Sequence, residues 1–67
     1  MLPRYEEFIQ DVFISLHANI RELRERKTFA DAEELAHIEA RLAAYEEVVQ
    51  IFRESAREFE IPNEAVS

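Results

Sequence analysis

The sequence predicts an all-α protein: a two-helix antiparallel hairpin, expected to dimerise into a four-helix bundle. Three observations lead there. The 67 residues contain no glycine, and the tight turns that join β-strands need positive φ, which Gly or Asn supplies most readily. Glu, Ala, Arg and Leu dominate the composition, and all four are strong helix formers. The apolar residues recur at helical spacing in two stretches whose phases do not match, so two helices are expected rather than one.

The first helix is predicted over about 3–27. Pro3 suits a first-turn position, where a missing N–H costs nothing. Ile9, Phe13, Leu16, Ile20 and Leu23 form its seam at steps of four and three. Tyr5, Phe8, Val12 and Ile14 widen the apolar stripe near the N-terminus, and a stripe that wide faces more than one neighbour. The last turns carry Arg21, Arg24, Arg26 and Lys27, the charge that a helix C-terminus favours.

A turn is predicted over about 27–31. Thr28 followed by Asp31 has the spacing of an N-cap and its third helical residue, and Asp31 followed by Glu34 repeats it. Asp31, Glu33 and Glu34 place negative charge in the first turn of the next helix, where the macrodipole is favourable.

The second helix is predicted over about 31–60. Leu35, Leu42, Val49 and Ala56 form one heptad row; Ile38, Tyr45, Phe52 and Phe59 form the other. This is the 3.5-residue period of a helix that meets a partner along a seam. Glu39, Glu46, Arg53 and Glu60 flank it. Ala36, Ala40, Ala43 and Ala44 make a thinner stripe, read as helix propensity or as a close helix approach. Pro62 disfavours helix at Ile61, and a tail over 62–67 is expected to fray.

One continuous helix is the rival, since no Gly or Pro interrupts residues 4 to 61. The register argues against it. Continuing in sevens from Phe13 gives Ile20, Lys27, Glu34 and Arg41, whereas the second seam uses Leu35 and Leu42. The phase slips by one residue where the caps stand.

A single domain spanning 1–67 is therefore expected, and it is expected to need a partner. Chains this short bury too little surface to be stable without a staple, and there is no cysteine to make one. Two helices share one narrow contact, which leaves Tyr5, Phe8, Ile14, Val48 and Ile51 uncovered, and such patches mark interfaces. The chain is expected to pair with itself, a homodimer first and a tetramer second. Ile9, Phe13, Leu16, Ile20, Leu23, Leu35, Ile38, Leu42, Tyr45, Val49, Phe52 and Phe59 are the expected oligomer interface. Tyr5, Phe8 and Ile14 form a candidate patch for a further protein partner.

Charge narrows the function classes. The net charge is −7, all of it contributed by residues 31–67, while residues 1–30 balance. An acidic second half repels nucleic acid and anionic membrane, so any polyanion contact falls to Arg21, Arg24, Arg26 and Lys27. Dipole compensation and solubility are the plainer account of that cluster. The N-terminus has no apolar run of signal-peptide type, and Phe8 to Leu16, interrupted by Gln10 and Asp11, is too short to span a membrane. A soluble, cytoplasmic protein is expected.

No catalytic pattern stands out. Without Gly there is no phosphate-cradling loop, and Ser15 and Ser55 have no base partner. Neither enzyme activity nor a cofactor is expected. Glu34 and His37 have the Glu-x-x-His spacing of di-iron bundles, but Glu34 stands in the capping turn, so capping is the simpler role. His17 flanks the first seam and is read as a histidine bonded to a neighbour, or as a pH-sensitive contact.

The leading expectation is a non-enzymatic protein–protein interaction module, regulatory or accessory, acting as a homo-oligomeric bundle. In length and layout the chain also resembles the Rop family of plasmid regulators. That resemblance implies an antiparallel four-helix dimer that binds paired RNA loops, here through the Arg21–Lys27 cluster; no Rop residue motif is matched. A metal-binding bundle built on Glu34 and His37 is the third alternative.

Overall fold

The computed structural model describes residues 3–62 and Glu64. Among them the chain forms two helices, α1 (Pro3–Lys27) and α2 (Ala32–Glu58), packed against each other as a hairpin. The helices run antiparallel. Phe13 meets Phe52, Asn19 meets Tyr45 and Lys27 meets Glu39, so the number on α2 falls as that on α1 rises. One continuous helix is thereby excluded.

The break lies where the two registers slip. α1 relaxes into i→i−3 bonds as it ends: the N–H groups of Thr28, Phe29 and Ala30 donate to the carbonyls of Glu25, Arg26 and Lys27. Asp31 then caps α2, its Oδ1 accepting from the Glu34 N–H at 2.8 Å. Of the two caps that the sequence offers, only Asp31 is used. Thr28 is held in the exit from α1, four residues before α2 begins.

α2 ends at Glu58, two residues short of the expected limit, in a Schellman motif. The Ile61 N–H donates to the Ala56 carbonyl at 2.8 Å and the Glu60 N–H to the Arg57 carbonyl at 3.2 Å. Glu60 adopts φ 57°, the left-handed conformation this motif requires and glycine usually supplies. Ile61 folds back onto the core beside Ala56, and Pro62 follows where helix can no longer continue. Of the tail expected to fray, only Pro62 and Glu64 are among the described residues.

Phe13, Ile20 and Leu23 of α1 and Ile38, Leu42, Val49 and Ala56 of α2 are buried; Ile9, Leu16, Ala30, Tyr45 and Ile61 pack around them. The Phe13 and Phe52 rings meet edge-to-face, centroids 5.3 Å apart, a favoured aromatic geometry. The seam expected to run on to Phe59 closes at Ala56. Phe52 keeps 38% of its surface exposed and Phe59, at the helix cap, keeps 77%.

The molecule measures 45 × 20 × 13 Å, a layer one helix thick. Its radius of gyration is 14.4 Å, against roughly 11 Å for a compact chain of this length. Among the described residues no helix is long and apolar enough to cross a membrane.

Candidate interaction surface

The two broad sides of this layer differ. On one, Leu16, Arg41, Ala44, Tyr45 and Val48 line an apolar cleft of about 280 Å³. Residues three and four apart share a helix face, so Val12, Phe8 and Tyr5 continue the strip from Leu16 toward the open end of the hairpin. Phe52 continues the α2 strip from Val48 in the same direction. Tyr5 and Phe8 are 61% and 66% exposed. Toward the turn the same two strips become polar, through Asn19 and Arg26 on α1 and Arg41, His37 and Glu34 on α2.

The opposite side is polar for most of its length. His17, Ile20, Arg24, Glu46, Val49, Gln50 and Arg53 line its central cleft of about 370 Å³. Next to it, Gln10, Phe13, Ile14, His17, Ala18 and Arg21 bound a groove closed by Glu64. Ile14 is therefore separated from Tyr5 and Phe8: the three candidate patch residues do not form one patch. Tyr5 and Phe8 share the apolar side, and Ile14 lies round the helix beside His17 and Arg21.

Of the twelve residues expected at an oligomer interface, Phe13, Ile20, Leu23, Ile38, Leu42 and Val49 are buried within the hairpin itself. Ile9, Leu16, Leu35 and Tyr45 are half-buried, while Phe52 and Phe59 are exposed. Val48 and Ile51 are also exposed, at 39% and 55%. The surface left for a second molecule is thus the margin of the seam, not its centre.

The basic cluster is divided between the two sides and tied to α2. Arg24 Nη2 lies 3.7 Å from Glu46 Oε1, Arg26 Nη2 3.6 Å from Glu34 Oε1, and Lys27 Nζ 3.8 Å from Glu39 Oε1. All six side chains are substantially exposed, so each pair contributes little on its own. Together they spread the cluster's charge across the turn end rather than presenting it on one face. Arg21 stands apart, on the groove with His17.

Glu34 serves the turn twice, through its capped N–H and its carboxylate beside Arg26. His37 is exposed. Among the described residues no group of three metal-binding side chains gathers about them or elsewhere. His17 lies against Phe13, ring centroids 6.2 Å apart.

Two features leave no signal in the sequence. Asn19 Nδ2 donates to the Tyr45 hydroxyl across the helices at 3.1 Å, a pairing that requires knowing the register between them. Phe29, in the turn, is 90% exposed; a single aromatic between two caps has no periodicity to place it.

Compared with known protein families, characterised proteins and solved structures, the chain shows no significant match to any of the three.

Proposed function

We propose that this chain is a non-enzymatic protein–protein interaction module that acts as a homo-oligomer, two hairpins stacking into a four-helix bundle. The observation that carries the reading is the apolar side of the layer, where Tyr5, Phe8, Val48 and Phe52 are exposed around the Leu16–Tyr45 cleft. Among the described residues no third element covers that side, and a second copy covers both at once.

The reading as a regulatory or accessory module follows from what the bundle leaves outside: a polar side and a net charge of −7 per chain. Sedimentation of the full chain at micromolar concentration tests the proposal. The expected mass is at least twice the monomer's, reduced to monomer by Phe8→Glu combined with Val48→Glu. A wild-type chain that is folded and monomeric contradicts it. The RNA-binding alternative is tested alongside by anisotropy with labelled RNA hairpins. Tight, salt-sensitive binding lost on Arg24→Gln with Lys27→Gln would replace the interaction-module reading; no binding at physiological salt is expected.

A further inference from the structure

We propose that the two hairpins stack with both turns at the same end of the bundle, the two-fold axis running along the helices; this rests on the self-association proposed above. Two layers meeting face to face by two-fold symmetry have two choices. An axis along the helices brings turn beside turn, and an axis across them brings each turn against the partner's open end. The apolar side is not uniform along its length, and that distinguishes the two. Its open-end half carries Tyr5, Phe8 and Phe52, all exposed. Its turn half carries Asn19, the Arg26–Glu34 pair, His37 and Arg41.

With turns opposed and fully overlapped, α1 lies on the partner's α1 and α2 on its α2, so Arg26 is laid on the partner's Phe8, and Glu34 and Arg41 on the open-end half of its α2, beside Phe52. Those charged groups lose water and gain rings that cannot accept the hydrogen bonds they surrender, and that arrangement is costly. An arginine over a ring recovers part of the loss, but the Glu34 carboxylate recovers none. With turns together, rings meet rings at the open end. At the turn end α1 lies on the partner's α2, so Arg26 of each chain meets Glu34 and Arg41 of the other, and charged groups face charged groups rather than rings.

A staggered opposed arrangement, overlapping only the apolar halves, avoids the charge penalty but fails on area. The side measures 45 by 20 Å, about 900 Å² in projection and close to the ~800 Å² per partner of a standard interface. Half of it falls well short. Full overlap in the same direction is the arrangement that satisfies both area and charge.

The absence of native cysteine allows a direct distance test. Thr28→Cys in the turn and Arg4→Cys at the open end, each at an exposed position, are spin-labelled singly in the full chain. Pulsed dipolar spectroscopy then measures each label's distance to its own copy. Helices in a bundle pack 8–10 Å apart, so same-end stacking predicts about 20–30 Å at both positions. Opposed stacking separates at least one like pair by a distance approaching or exceeding the 45 Å length of the hairpin, and that result would overturn the proposal. Sedimentation of the same labelled samples separates the two failures: a dimer with a long distance rejects only this stacking, whereas a monomer rejects the self-association on which it rests.

Discussion

Glu60 sits where a helix C-terminus ordinarily places glycine. Its φ of 57° presses a Cβ toward the following carbonyl, a conformation that costs an L-residue roughly 1–2 kcal/mol. The two backbone bonds of the Schellman motif and the packing of Ile61 beside Ala56 hold it there. Glu60→Gly relieves the strain at some expense in unfolded-chain entropy. The net expectation is a gain of about 0.5–1 kcal/mol, read as a rise of several degrees in a thermal melt. An unchanged or lower melting temperature would show that the motif is not formed as described. Asp31 is the opposite case, a residue already well chosen. Asp31→Ala removes the acceptor for the Glu34 N–H and should lower stability by about 1 kcal/mol, whereas Thr28→Ala, which removes no cap, should change it by much less. Equal losses at the two positions would put the cap in the wrong place.

At the scale of elements, the existence of two helices and their opposition were legible because periodicity reports which face of a helix is buried. Ile38, Leu42 and Val49 stand out in the heptad rows, and all are buried. What the rows do not contain is the width of the neighbour. One helix covers only a narrow line of another, so Leu35 and Tyr45 are half-covered, Phe52 meets α1 through the Phe13 ring with the rest of its surface open, and Phe59 lies beyond it. The end of α2 was obscured for a related reason: with no glycine in the chain, nothing in the residue types announces a left-handed cap at Glu60. The ion pairs of the basic cluster were hidden too, since Glu46, Glu34 and Glu39 are remote in sequence from Arg24, Arg26 and Lys27. Those pairs are exposed and 3.6–3.8 Å long. Arg24→Gln with Lys27→Gln should therefore lower stability by no more than about 1 kcal/mol per pair lost, measured by urea unfolding. A loss of several kcal/mol would mean that the ion pairs, not the apolar seam, hold the helices together.

At the scale of the whole molecule, the hairpin has seven buried residues among those described, on one line between two helices, and an uncovered apolar side next to it. A core of that size supplies little against the conformational entropy of the chain. Folding and pairing are therefore expected to be one coupled reaction, the second copy covering Tyr5, Phe8, Val48 and Phe52 as the helices close. Mass action then ties stability to concentration. The most direct measurement is the thermal melt of the unmodified chain, followed by circular dichroism from about 1 to about 100 µM, a range over which coupled association makes melting concentration-dependent. The melting temperature is expected to climb steadily with concentration, with a single transition at each one. A midpoint that stays constant across the series would contradict it, because it would show that one hairpin holds its fold unaided.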